Sequence, residues 1–277
     1  MSKKLGLLAL MFLTWAASAH ASEPAFDRVI KSKTINCGYF FWPTYLDRDA
    51  NTGAFSGLNY EIMEAIGKNL GLKINWSAEI GVGDPVAALE AGKADVVCAS
   101  VWPSPARTQN MLLSNPSFYS AVFTFARGDD KRFDGALNKA NNKDMRVSAI
   151  DGDYSYDLAA EKLPAATIVA LPQTASGSEL LLQVVSKKAD VFFSDEGMVN
   201  AFLKTNPGSL RRIDGIGPVR YYGETLPVER GEYQLKNMLD TAITQLTNDG
   251  VITAIVEKYK DKYHANWYPP AKTLDLK

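Results

Sequence analysis

Apolar positions along this chain fall into short runs whose period switches between that of a strand and that of a helix. Ile35–Tyr39 reads as a strand, broken by Phe40-Phe41-Trp42-Pro43. Asn59 then stands as a candidate N-cap for a helix over Tyr60–Leu70, where Ile62, Ala65, Ile66 and Leu70 recur at helical spacing and Gly71 supplies the stop. Leu72–Ser77 alternates as a strand, Pro85–Ala91 predicts a short helix ended by Gly92, and Ala94–Val101 predicts a buried strand. The series restarts with a strand over Met145–Ile150, a helix over Tyr154–Leu163, a strand over Thr167–Ala170, a helix over Gly177–Ser186 and a strand over Ala189–Ser194. Strands alternating with helices predict an α/β architecture, each series a mostly parallel sheet covered by helices. Two helices follow, Glu232–Thr247 and Val251–Tyr259, with no strand of their own. They are expected to cover a lobe, and the Trp267-Tyr268-Pro269-Pro270 tail to dock on the surface.

The two series also echo each other in sequence. Ala88–Val97 and Leu182–Val191 each run from an amphipathic helix through a lysine-containing turn to Ala-Asp and an apolar strand. Equivalent placement in two βαβ series predicts two similar lobes.

Composition narrows the function. The chain has 277 residues, 46% hydrophobic, with 30 basic against 31 acidic side chains. That apolar content excludes a disordered chain, and a formal charge of −1 excludes a strongly basic nucleic-acid binder. Lys3 and Lys4, the apolar run Leu5–Ala17 and Ala19-His20-Ala21 have the order of a cleaved export signal over residues 1–21. The run is shorter than the roughly 20 residues a membrane span needs, and no later run reaches that length, so the product is expected in the periplasm and not inserted in the membrane. Cys37 and Cys98 both fall in predicted strands, which leaves a disulfide and two buried thiols both open. With His264 they make no zinc spacing, and no metal or cofactor is implied. HExxH, GxSxG and P-loop patterns are absent, and Gly81-Val82-Gly83 reads as a plain turn.

Polar and aromatic residues gather just after the predicted strands, where open α/β sheets bind ligands. Tyr39, Phe40, Phe41, Trp42 and Tyr45 follow the first strand; Ser100, Trp102 and Arg107 follow the third; Asp153 and Tyr154 follow the first strand of the second series, and Asp195 follows its last. An arginine fork suits a carboxylate, an aspartate an ammonium, and aromatic faces a cation or apolar group. Core packing for the aromatics and a surface ion pair for Arg107 are the plain alternatives.

These residues, together with Gly57–Met63, Leu89–Asp95, Asn115–Tyr119, Asp190–Asp195 and Asn248-Asp249-Gly250, resemble the periplasmic solute-binding proteins of ABC importers, in the polar-amino-acid-binding family with the type II fold. The resemblance runs from about Thr34 to Tyr263. It implies two lobes, each a mostly parallel sheet with flanking helices, joined by two strands crossing near Ala121–Arg127 and Pro218–Gly223. The first lobe would be discontinuous, 22–124 and 221–277, and the second 125–220. It further implies a monomer that closes on a small ligand and meets a membrane ABC permease. Arg107 would hold the ligand's α-carboxylate and Asp195 its α-ammonium, with Ser100 beside the carboxylate and Phe41 or Trp42 as an aromatic wall. The sequence departs from the family at Asp153-Tyr154, where the family carries Thr-Thr after the glycine matching Gly152, and at Ala99 and Trp102. A carboxylate at 153 beside a bound carboxylate predicts a cationic, aromatic or modified ligand. Two other readings share the scaffold: an enzyme of the cyclohexadienyl dehydratase kind, using Asp153, Asp195 or Glu196, and an accessory protein of a periplasmic dehydrogenase.

Overall fold

The computed structural model describes residues 23–273, so the export signal expected over 1–21 lies outside the described residues. Helix α1 (Ala25–Ser32) leads into β1 (Thr34–Tyr39); the short strands β2 (Asp47–Arg48) and β3 (Phe55–Ser56) form a small hairpin before α2 (Leu58–Leu70). Strand β4 (Lys73–Glu79), helix α3 (Pro85–Glu90), β5 (Val96–Val97) and β6 (Met111–Leu113) follow. Gly71 and Gly92 take left-handed φ values of 65° and 64°, the conformation that ends α2 and α3 where the sequence placed their stops. The long strand β7 (Phe118–Arg127) opens the second series: β8 (Arg146–Ile150), α4 (Tyr154–Lys162), β9 (Thr167–Leu171), α5 (Gly177–Val185), β10 (Val191–Asp195), α6 (Glu196–Thr205) and β11 (Leu210–Arg212). Strands β12 (Arg220–Glu224) and β13 (Pro227–Glu229) lead to α7 (Tyr233–Asn248), α8 (Val251–Tyr263) and β14 (Trp267–Tyr268).

Two main sheets result. The first has the order β4-β1-β5-β13-β6, with β1 parallel to β4 and β5; the second has the order β11-β7-β10-β8-β9, with β12 and β14 also on β7. Each is covered by its helices, giving the two-lobed type II fold. The chain passes between the sheets at 114–117 and again at 225–226, so the strands expected to cross near 121–127 and 218–223 lie within the second sheet and pair with each other. Ser114 and Leu226 fasten the two passages together: Ser114 N–H donates to the Leu226 carbonyl at 3.2 Å and Leu226 N–H to Ser114 Oγ at 2.9 Å.

The sequence echo has a structural counterpart. Asp95 N–H donates to the Asn36 carbonyl at 2.8 Å while Asn36 N–H returns a bond to the Asp95 carboxylate at 2.9 Å. Asp190 and Arg146 repeat the exchange in the second sheet at 2.8 and 3.0 Å. In each lobe an aspartate at the start of one parallel strand staples the neighbouring strand, and these reciprocal charge-assisted bonds set the register.

Three expectations change. The predicted strand over Ala94–Val101 pairs as a strand only at Val96–Val97, because the residues beyond turn away to build the cleft. Asn59 is not the N-cap of α2: the helix already starts at Leu58, and Gly57 precedes it at φ 126°, where a Cβ would strike the Tyr45 carbonyl. The tail does not dock on the surface. Trp267 is fully buried, its strand is hydrogen-bonded to β7, and its ring packs against Tyr45, Phe118 and Tyr263. Periodicity could not show this, because one aromatic residue in a short tail has no pattern.

Cys37, within β1, and Cys98, the residue after β5, form a disulfide, their Cα atoms 5.4 Å apart. The crosslink closes a loop with a sequence separation of 61, for which chain entropy gives about 4 kcal/mol. The double variant C37A/C98A is expected to melt roughly 10 °C lower in thermal unfolding, and an unchanged melting temperature would contradict a stabilising bridge.

Candidate functional site

The carboxyl ends of four parallel strands from the two sheets converge on one cavity. The loop after β1 supplies Phe40, Trp42 and Tyr45; the segment after β5 supplies Ser100, Val101, Trp102 and Arg107; β8 leads to Asp153 and β10 ends in Asp195. Asn59, Val82 and Glu224 complete the lining.

Arg107 reaches across the gap between the lobes. Its guanidinium donates to the Trp102 carbonyl at 3.0 Å on its own side and to the Gly152 carbonyl at 3.3 Å on the other. The Asp153 carboxylate stands 3.5 Å away, with both side chains largely buried. Asp153 also caps α4, accepting from Ser155 N–H at 2.9 Å. The Asp153 carboxylate is thus paired with Arg107 across the gap.

Asp195 caps α6. Its Oδ1 accepts from Gly197 N–H at 2.7 Å and Met198 N–H at 3.3 Å, while Oδ2 faces Trp42 Nε1 at 3.5 Å. Burial pushes its carboxyl up to about 6, against the pull of those donors. Trp42 comes from the other lobe and lies over Gly177, where a Cβ would fall 2.8 Å from its ring. Ser100 Oγ donates to Asn59 Oδ1 at 2.7 Å, tying the segment after β5 to α2.

Glu224, at the end of β12 where the chain returns to the first sheet, is 1% exposed. Ser120 Oγ donates to its Oε1 at 2.6 Å, Trp102 Nε1 at 2.8 Å and Tyr45 OH at 3.4 Å. Burial is the main cause that pushes its carboxyl up to about 8; Ser120 and Trp102 oppose the shift and the charge of Asp195 adds to it.

Of the side chains selected from sequence, Arg107, Asp195, Ser100, Trp102, Trp42 and Asp153 meet at this cavity. Tyr39 and Phe41 do not line it: Tyr39 packs edge-on against Phe41, Phe55 and Trp76, and Phe41 faces a shallow outer hollow with Arg48 and Ser176. Tyr154 stands behind the lining, 6.0 Å beneath the Arg107 guanidinium and edge-on to Tyr222, which stacks on Trp102 at 4.7 Å. The core alternative therefore describes Tyr39. Glu224, Asn59, Val82 and Val101 were not selected. The one signal for Glu224 was the alternation of Tyr222 and Glu224 on a face just before the chain returns to the first sheet.

Gly81-Val82-Gly83 is more than a turn. Gly83 N–H donates to the Gln173 carbonyl at 3.1 Å across the cleft mouth. A Cβ on Gly83 would overlap the Asp151 carbonyl oxygen, and one on Gly152, at φ 73°, would sit 2.6 Å from the Gly83 carbonyl. Backbone meets backbone here because glycine stands on both sides.

The chain matches the bacterial extracellular solute-binding proteins, family 3, over residues 42–262. It is 26% identical to the amino-acid-binding protein AabA of Dichelobacter nodosus over 237 residues, covering 82% of this chain and 83% of that one. It is 25% identical to a probable amino-acid ABC transporter-binding protein of Haemophilus influenzae, covering 88% and 90%. Among solved structures, an ancestral amino-acid-binding protein described as a precursor of cyclohexadienyl dehydratase superposes with a TM-score of 0.74 at 22% identity, over 86% of this chain and 99% of that one.

The raised Glu224 carboxyl fixes a pH dependence. Between its ordinary value of 4.5 and about 8 the folded chain holds a proton the unfolded chain has lost, so stability falls as pH rises through that window. The slope is about 1.4 kcal/mol per pH unit while only the folded state holds the proton. Ligand-free protein is expected to melt at a lower temperature at pH 8 than at pH 5, and Glu224→Gln to remove most of that fall. An unchanged pH slope in the variant would show that Glu224 is not the group responsible.

Proposed function

The chain belongs to the bacterial extracellular solute-binding proteins, family 3, and from that premise we propose that it captures a small polar solute, an amino acid or a related zwitterionic or cationic compound, in the interlobe cavity and delivers it to a membrane ABC importer. In this reading the protein works in the periplasm as a monomer whose two lobes are joined at the chain passages 114–117 and 225–226. It binds without turnover. Its curated relatives named above carry names of binding proteins; among the described residues no helix is long and apolar enough to cross a membrane.

The observation that carries the reading is the meeting of Arg107 and Asp195, from opposite lobes, at one largely buried cavity. A carboxylate on the ligand would take the guanidinium's free edge, and an ammonium would take Asp195 Oδ2, whose partner bond to Trp42 is long. Trp42, Phe40 and Trp102 give an apolar and cation-attracting wall. Contacts from both lobes bind the closed form better than the open one, which is the differential affinity that closure requires.

A thermal-shift screen of amino acids, amines and organic acids tests the reading, since a ligand at a hundred times its dissociation constant stabilises by about 2.7 kcal/mol. For the compound so found, Arg107→Ala and Asp195→Asn are each expected to weaken binding roughly 10- to 100-fold in calorimetric titration, the loss of one charge-assisted contact. Full affinity in both variants would remove the pair from the site. Gly83→Ala is expected to weaken binding about tenfold through closure alone, with small-angle scattering showing a more open ligand-bound form. Wild-type affinity and compactness would show that the mouth closes without that contact.

A further inference from the structure

Helix α6 belongs to the second lobe and starts at the cavity, since Asp195 is its N-cap. One face of it is nevertheless bonded to the first lobe. Asn200 Nδ2 donates to the Tyr263 and His264 carbonyls at 3.0 and 3.1 Å. Those carbonyls stand at the end of α8, where a helix leaves acceptors without partners. One turn further along α6, Lys204 Nζ donates to the Lys262 carbonyl at 3.2 Å and lies 4.7 Å over the Tyr263 ring. The body of α8 is anchored in the first lobe, where Ile252, Val256 and Tyr259 share a core with Ile35, Leu58 and Leu235.

The chain beyond α8 crosses to the second sheet. Asn266 Nδ2 donates to the Glu196 carboxylate, and Ala121 N–H donates to the Asn266 carbonyl at 3.1 Å. Trp267 and Tyr268 pair with Ser120 and Tyr119 of β7. Since β12 runs along one side of β7 over 118–122, β14 lies on the other side, end to end with β10. The Trp267 ring then turns back into the first lobe's core. It passes so close to Gly197 that a Cβ there would overlap it, and Gly197 N–H is a donor that holds Asp195 Oδ1. One residue thus touches the first core, the second sheet and the turn that presents Asp195.

We propose that residues 263–268 form a third connection between the lobes, a strap anchored by Trp267 that limits how far they part. The passages at 114–117 and 225–226 lie side by side, and two neighbouring strands by themselves permit both bending and twisting. Attachment along α6 adds a fixed line away from that pair, so opening stretches the bonds of Asn200, Lys204 and Asn266. The proposal rests on the lobes moving apart, as solute capture requires, and not on what the cavity holds.

Double electron–electron resonance without any ligand tests it. Spin labels on Ser77→Cys in β4 and Asp157→Cys in α4 occupy exposed positions of opposite lobes, on the chain leading to Gly83 and the chain following Gly152. Cys37 and Cys98 are paired, so the introduced thiols are the ones labelled. In this background the variant N200A/K204A/N266A removes side chains that are half-buried or exposed and do not line the cavity. It is expected to keep its circular dichroism and to raise the population at long distances about tenfold, the effect of losing one or two net hydrogen bonds. A distance distribution superimposable on that of the unsubstituted strap, or a shorter one, overturns the proposal and leaves the tail as core filling. Amide exchange of the wild type supplies a second reading that does not depend on the variant folding. The Ala121 amide, bonded to the tail, is expected to exchange as slowly as the neighbouring β7 amides bonded to β10. Fast exchange at Ala121 alone would show that the tail detaches freely, and that too overturns the strap. Neither measurement uses a solute, so failure to find one leaves this result standing, and loss of the strap leaves solute capture standing.

Discussion

Two carboxyl groups held out of water, Asp195 and Glu224, govern the rest of this molecule. An ionised carboxylate in an apolar setting is costly unless donors or a cation compensate it. The fold meets part of that cost with fixed donors: two helix N–H groups at Asp195, and a hydroxyl, an indole and a phenol at Glu224. The compensation is incomplete, as the upward shift of both groups shows.

The two lobes approach closely at the mouth of the cavity. Gly83 on one side and Gly152 on the other let two stretches of main chain touch at the mouth, and Arg107 bonds across to the Gly152 carbonyl beside them. Trp42 lies over Gly177 deeper in the cleft for the same steric reason. The tail adds a further tie: Trp267 is hydrogen-bonded to the second sheet through β14 while its ring sits in the core of the first lobe. The lobes are therefore connected by the passages at 114–117 and 225–226 and by the tail after α8, whose buried Trp267 side chain returns to the first lobe's core.

Much of this was legible in the residue order. The change between two-fold and 3.6-fold periods gave β1, α2, β4 and α3 of the first series and β8, α4, β9, α5 and β10 of the second, but not α6, and Gly71 and Gly92 stopped the helices because each takes a left-handed conformation. The paired Ala-Asp motifs marked the starts of equivalent interior strands in two sheets, and Asp95 and Asp190 perform the same staple. The rule that ligands gather beyond the carboxyl ends of parallel strands was enough to bring Arg107, Asp153 and Asp195 forward. It also brought forward Tyr39 and Phe41, since a strand-end aromatic can turn either to the cleft or to the packed hairpin behind it, and those two take the hairpin side.

Local order thus determined the elements, their alternation, the duplicated plan and the strand ends where chemistry collects. Folding in three dimensions selected which of those groups share a cavity. Glu224 enters the site only because β12 pairs with β7 and returns to the first sheet beside Tyr45 and Trp102, residues far from it in the chain. The Gly83–Asp151 approach and the burial of Trp267 are likewise contacts between distant segments. Periodicity and turn chemistry report on a residue's near neighbours, whereas desolvation and pairing of charge depend on what the folded chain brings alongside.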